Sequence, residues 1–324
     1  MRCLLIAPLH FYQFAERVAK GLQARGYDVV LLNEEYPMSI SGRVLGYFFT
    51  PLIRKTTFTY FARLIENETK FDLVVIIKGR GMSARLIQLF KDKCGRVAAY
   101  NYDSFKRNPA ALAWFRNVGN FKTFDIDDAE NYGLSLLHLF SDAQPQRDVK
   151  KRYLVSVIQR LHSDRLQYAC RLAEAVPQEQ RFIFLYEWSK LTLIIGFLRS
   201  PVLYIRMRKY ISMTPLSYTD AMRRMSESEV TFDYAFPRQS GITVRCFEAQ
   251  SLGVAILTNN RAAVDSGVFD NGSIAHLSAD ADPDTVRRLL ADLAARPPKP
   301  KARTLDNFLD ELLDDQSFQR PTPN

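Results

Sequence analysis

Two short, uninterrupted apolar runs, Cys3–Ala7 (CLLIA) and Leu73–Ile77 (LVVII), constrain the fold more than any other feature of the sequence. A strand with one wet face alternates apolar and polar residues, whereas a strand that is apolar at every position is covered on both faces. Strands of that kind belong to parallel sheets, whose crossover connections place helices above and below. The intervening chain has the matching helical spacing. Phe14, Val18 and Leu22 recur every four residues, and Gly26 stops a predicted helix over Gln13–Arg25. Tyr27–Leu32 reads as a second strand, Ser83 caps a helix over Ala84–Lys93, and Val97–Tyr100, Phe121–Phe124 and Leu136–Phe140 read as further strands. The fold class is α/β.

The polar stretch Asp142–Arg152 interrupts this series, and a second series follows it. Strands are expected at Tyr153–Ile158, Arg181–Tyr186, Val230–Tyr234 and Val254–Thr258. Helices are expected at Ser163–Val176, Pro215–Ser226, Thr243–Leu252, Pro283–Ala295 and Leu305–Leu313. A chain of 324 residues has room for two domains of ordinary size. The expected division is 1–148, 149–300 and a terminal helix with tail over 301–324.

With 44 Lys+Arg against 35 Asp+Glu the formal charge is +9, and the excess is spread along the chain. That balance suits an anionic ligand or an anionic lipid surface. No zinc-finger spacing, RNP pattern or basic-aromatic repeat points to nucleic acid, and none is expected as a partner. Cys3, Cys94, Cys170 and Cys246 are far apart in sequence, so no metal-knuckle spacing exists, and a reduced, cytoplasmic setting is expected. The opening apolar run ends at Pro8, which reads as a buried strand rather than a signal peptide. Two stretches are candidates for peripheral membrane contact, with core packing beside solvated basic residues as the alternative. Gly46–Leu64 interleaves Tyr47, Phe48, Phe49, Phe58, Tyr60 and Phe61 with Arg54, Lys55 and Arg63, and Leu191–Tyr210 joins the run LTLIIGFL to Arg199, Arg206, Arg208 and Lys209.

Asp233–Asn260 carries the most chemistry: a strand, a loop with Gln239-Ser240-Gly241, a helix and another strand. A glycine ahead of a helix lets an anion approach, and the first turn offers N–H groups and a partial positive charge to a phosphate. Gln239, Ser240 and Thr243 add side-chain donors. Arg245 and Glu248 are three apart and share a helix face. A carboxylate there can accept bonds from two ribose hydroxyls; the plainer alternatives are a solvated Glu248 and an Arg245 that only forms a salt bridge.

The run Gln239-Ser240-Gly241-Ile242-Thr243-Val244-Arg245-Cys246-Phe247-Glu248, followed by Thr258-Asn259, resembles the donor site of GT-B glycosyltransferases. The nearest group is the spore-maturation-type and polysaccharide-assembly enzymes. The resemblance implies two Rossmann-like domains with parallel sheets facing an interdomain cleft. It also implies a nucleotide-sugar co-substrate, no other cofactor and no metal. Ser240–Thr243 would meet the diphosphate and Glu248 the ribose. Many retaining members have a second glutamate eight positions earlier; here that position is Ser240. Arg160 and Arg165, five apart after the first strand of the second series, correspond to a diphosphate-binding Arg/Lys pair. Arg165 is accordingly also a catalytic candidate, countering charge on the leaving group.

In the first series Tyr102-Asp103 resembles an aromatic-Asp pair of that group. Asp103 and His10 are the candidate catalytic residues, Asp103 as a general base; a capping Asp and a packed loop His are the alternatives. Lys78-Gly79-Arg80-Gly81 could form an anion-binding turn, and Asp125-Ile126-Asp127 is a short match to a GT-A metal motif that the architecture argues against. The resemblance further implies a glycan or lipid-linked glycan acceptor of a bacterial surface polysaccharide, such as capsule or lipopolysaccharide, and work at the inner face of the cytoplasmic membrane. The rival expectations are a sugar-nucleotide epimerase or hydrolase on the same fold, and a non-catalytic nucleotide-sugar-binding protein.

Overall fold

Successive side chains of a strand point to opposite faces, and strand β1 (Arg2–Ala7) shows the consequence. Leu4 and Ile6 join one hydrophobic cluster, with Phe61, Leu86 and Phe90. Cys3, Leu5 and Ala7 join another, with Val18, Leu22 and Phe308. The continuous apolar run is therefore divided between two helical layers, as its lack of a polar alternate requires. The computed structural model describes residues 1–9, 14–39, 50–68, 70–146 and 149–314.

The first of two units comprises Met1–Phe140, Pro237–Gly241 and the segment from Thr304; the second comprises Ser141–Phe236 and Ile242–Arg303. In the first, β1 is followed by β2 (Asp28–Asn33), β3 (Leu73–Ile77), β4 (Arg96–Asn101), β5 (Asn120–Thr123) and β6 (Ser135–Leu136). They form one parallel sheet in the order β2-β1-β3-β4-β5-β6. The strand expected over Leu136–Phe140 is only the pair Ser135–Leu136; beyond it, Leu137 and Phe140 are buried in the second cluster. The Leu305–Leu313 helix belongs to this unit and buries Phe308, Leu309 and Leu312 beside the Phe14–Ala24 helix. A helix over Thr50–Asn67 occupies most of one aromatic-basic stretch. Its Phe61 is buried and Phe58 and Tyr60 pack on the same cluster, so those aromatics build the core.

The second unit holds β7 (Tyr153–Arg160), β8 (Arg181–Tyr186), β9 (Ile211–Ser212), β10 (Ser228–Asp233), β11 (Ala255–Thr258) and β12 (Ile274–His276). Their order is β12-β11-β10-β7-β8-β9, parallel throughout. Counted from the unit's first strand this is the doubly wound dinucleotide-binding order, and the chain reverses direction across the sheet between β7 and β10. The apolar run LTLIIGFL lies in a helix over Lys190–Arg199, followed by another over Pro201–Met207. Among the described residues no helix is long and apolar enough to cross a membrane.

Candidate functional site

In doubly wound sheets ligands gather at the carboxyl ends of strands where the order reverses, because neighbouring connections diverge there and leave a crevice. In the second unit that point lies between β7 and β10, and Arg160, Arg165, Thr243, Arg245 and Glu248 lie at the end of β7 or on the elements that follow those strands. Arg160 is the exposed last residue of β7, its guanidinium 5.2 Å from the ring of Trp188, which is 57 % exposed. Arg165 opens the next helix and turns back: its Nη1 donates to the Arg160 carbonyl at 3.2 Å, and its guanidinium lies 4.8 Å from the Tyr234 ring. The Tyr234 hydroxyl donates to Asp164. Burial first, and that carboxylate second, push its ionisation above the ordinary phenol range. The two arginines are thus brought together, with Arg165 held by the backbone and an aromatic face.

After β10, Thr243 caps the Val244–Leu252 helix only by backbone position. Its hydroxyl donates to Asp233, which also accepts from Thr258 at 3.1 Å. The Asn259 side-chain amide clasps Ala235, its oxygen accepting from the Ala235 N–H at 2.7 Å and its NH2 donating to the Ala235 carbonyl at 3.1 Å. Thr243, Thr258 and Asn259 therefore lock the carboxyl ends of β10 and β11. Glu248, 4 % exposed, is ion-paired with Arg245 at 2.9 Å.

The loop read as a phosphate cradle belongs to the first unit and is already engaged there. The Ser240 and Gly241 N–H groups donate to Asp125 at 2.8 and 3.2 Å, and the Ser240 hydroxyl donates to the same carboxylate at 2.9 Å. Gly241 is required for close approach: an added Cβ would run into the Phe124 ring. Asp125 also caps the Ile126–Tyr132 helix through the Asp128 N–H, while Asp127 pairs with Lys106 at 3.1 Å. The Asp-x-Asp residues thus serve different partners, and the described residues contain no group of three His, Cys, Asp or Glu able to hold a metal ion.

The first unit has its own order reversal, between β1 and β3. Lys78 and Gly79 follow β3 with φ of 68° and 65°. Lys78 carries a side chain in the left-handed region, which is uncommon and concentrates at functional sites. Its Nζ is 2.9 Å from Asp103, and Asp103 also accepts from Gln239 at 3.2 Å. A cavity of about 710 Å³ opens beside them; among the described residues its charged lining is Arg54, Lys78, Arg80, Arg107 and the single carboxylate Asp103. His10 lies outside the described residues. Sequence reading passed over Glu34, the buried residue just after β2, which accepts the Arg80 N–H at 2.8 Å. Burial pushes its carboxyl up to about 7, against the opposing pull of Lys78. Its only sequence signal is an acid directly after a strand.

The Glu34 rise sets a pH dependence. Between the ordinary carboxylate range and pH 7 the folded chain holds a proton that the unfolded chain has released, so stability falls as pH rises through that window. The rise corresponds to about 3 kcal/mol. Glu34→Gln is expected to melt with the native protein at pH 4 and several degrees above it at pH 8. Equal melting temperatures at both pH values would contradict the assignment.

No protein-family model matches the sequence, and no curated protein matches it. Solved structures do. The lipopolysaccharide outer core galactosyltransferase WaaB is 11% identical, with a TM-score of 0.56 over 96% of this chain and 94% of that one. The fold is GT-B. Anabaena Alr3699/HepE, solved with UDP-glucose, is 10% identical with a TM-score of 0.59, covering 98% of this chain and 96% of its own. The Methanocaldococcus jannaschii UDP-GlcNAc 2-epimerase, solved with UDP-GlcNAc and UDP, is 10% identical with a TM-score of 0.55 over 98% and 97%. GT-B architecture thus hosts both transfer and epimerisation among these neighbours, and the site must choose between them.

Proposed function

We propose that the protein is a glycosyltransferase that takes a sugar from a nucleoside-diphosphate donor and passes it to a glycan acceptor. The observation that carries this reading is the placement of Arg160, Arg165, Arg245 and Glu248 around the order reversal of the second sheet. Arg160 and Arg165 meet the diphosphate, and Arg165 is held in place before the donor arrives. Charge grows on the departing diphosphate as the glycosidic bond breaks, and two pre-positioned guanidinium groups stabilise it. Glu248 accepts from the ribose hydroxyls. Ser240 and Gly241 act differently, because their amide protons are committed to Asp125 and so hold the loop.

The basic cavity of the first unit is the acceptor's counterpart. Four cations around one carboxylate favour a glycan bearing phosphate or carboxylate groups, as a lipid-linked precursor does. Asp103, held by Lys78 and Gln239, is the base that takes the acceptor proton.

The test is product analysis with a panel of nucleotide sugars, each with and without anionic glycan acceptors. Nucleoside diphosphate release that requires an acceptor is expected. An isomerised or hydrolysed donor in the absence of acceptor would favour the epimerase or hydrolase reading. Saturable donor binding without any turnover would identify a nucleotide-sugar-binding protein.

A further inference from the structure

The Lys190–Arg199 helix has no buried residue at all, although its sequence is KLTLIIGFLR. Leu191, Ile194 and Leu198 are 66, 56 and 72 % exposed. The stripe continues through the Pro201–Met207 helix, where Val202 and Ile205 are 75 and 59 % exposed. Within the first helix the spacings of three and four residues, and within the second the spacing of three, set each group on one side of its own helix, and Ser200, at φ -148° and ψ 63°, separates the two. Scattered single apolar residues on a surface are ordinary; a contiguous stripe of this kind marks an interaction face.

The rest of the element explains how the stripe is held outward. Met207 is 1 % exposed, and Leu203 and Tyr204 pack on the core of the second unit, so the opposite side of the second helix is anchored. Gly196 lets the Tyr204 hydroxyl come in where a Cβ would stand, which ties the first helix to the second.

Charge decides what covers the face. From Trp188 to Met213 the chain carries Lys190, Arg199, Arg206, Arg208 and Lys209 and no Asp or Glu. Arg206 is engaged by Glu174, and a second copy of this chain would bring the other four cations against their like. An anionic lipid surface supplies the opposite charge, and its acyl boundary accepts the apolar stripe.

We propose that the helices over Lys190–Arg199 and Pro201–Met207 dock the protein on anionic membrane, with the Leu191–Ile205 stripe entering the acyl boundary and the cations meeting lipid phosphates. The docking goes beyond the glycosyltransferase reading and does not depend on it, so its test contains no nucleotide. Full-length protein is floated with vesicles of phosphatidylcholine and phosphatidylglycerol (7:3), and with vesicles of phosphatidylcholine alone. The native chain is expected to bind the anionic vesicles at least tenfold more tightly than the neutral ones. The Leu198→Ser, Val202→Ser double variant is expected to lose at least tenfold in binding with an unchanged melting temperature, because both side chains are exposed. Arg208→Glu with Lys209→Glu is expected to remove the preference for anionic lipid. Absence of vesicle binding by the native chain would overturn the proposal. So would a native dimer by light scattering that the double serine variant dissociates while vesicle binding is unaffected.

Discussion

Asp125→Ala is expected to lower the melting transition by about 10 °C. The side chain is 1 % exposed and accepts four hydrogen bonds: from the Ser240 N–H, the Ser240 hydroxyl, the Gly241 N–H and the Asp128 N–H. Hydrogen bonds to a charged acceptor contribute about 1.5–3 kcal/mol each, and removing the acceptor strands the donors. The contributions overlap, so a total of about 4 kcal/mol is the sensible scale. For a unit of this size that converts to about 8–16 °C. Asp127→Ala is the matched control. Its partner Lys106 is more than half exposed, and an ion pair in water contributes under about 1 kcal/mol. Scanning calorimetry on both variants tests the assignment. Equal, small shifts would show that Asp125 does not organise the loop.

The same carboxylate illustrates where the sequence is silent. Gln239-Ser240-Gly241 before a helix has every local mark of an anion cradle, and it is one, but the anion is a side chain of the protein itself. Spacing along a chain reports which groups can serve an anion; it does not report which anion arrives, because Asp125 lies over a hundred residues away. The continuous apolar runs behaved differently. Their meaning depends only on the pleat and on the need to cover both faces, and β1 and β3 are central strands of the first sheet. Helices at Ala84–Lys93 and Pro283–Ala294 were legible for a related reason: Ser83 and Asp282 cap them through bonds confined to one turn. The Thr50–Asn67 helix was hidden because its aromatics suggested a lipid surface, whereas Phe61 is covered by Phe90 and Tyr36. Glu34 was hidden because an acid directly after a strand is a common pattern, and burial, which raises its pKa, is not written in the local sequence.

At the candidate donor site, local and distant information agree in part. Arg160 and Arg165 meet because the turn between them carries Ser163 at a φ of 53° and brings Arg165 back onto the Arg160 carbonyl. Glu248 is more enclosed than a solvated helix acid, and Arg245 holds it. A pre-oriented carboxylate in a buried position makes stronger bonds to hydroxyl groups than one in water. Losing it is the second large effect expected here. In the proposed ribose role, two charge-assisted hydrogen bonds would amount to about 3–4 kcal/mol, or roughly a hundredfold or more in affinity for Glu248→Ala. Glu248→Gln keeps one oxygen acceptor and the side-chain volume, so about tenfold is expected for it.

Calorimetric titration of the native protein, Glu248→Gln and Arg165→Ala with a panel of nucleoside diphosphates addresses this site directly. One diphosphate is expected to bind the native chain saturably, with affinity reduced about tenfold by Glu248→Gln and comparably by Arg165→Ala, while both variants remain folded in the absence of ligand. Native affinity in both folded variants, or no binding of any nucleoside diphosphate to the native chain at millimolar concentration, would contradict a donor site at the carboxyl ends of β7 and β10.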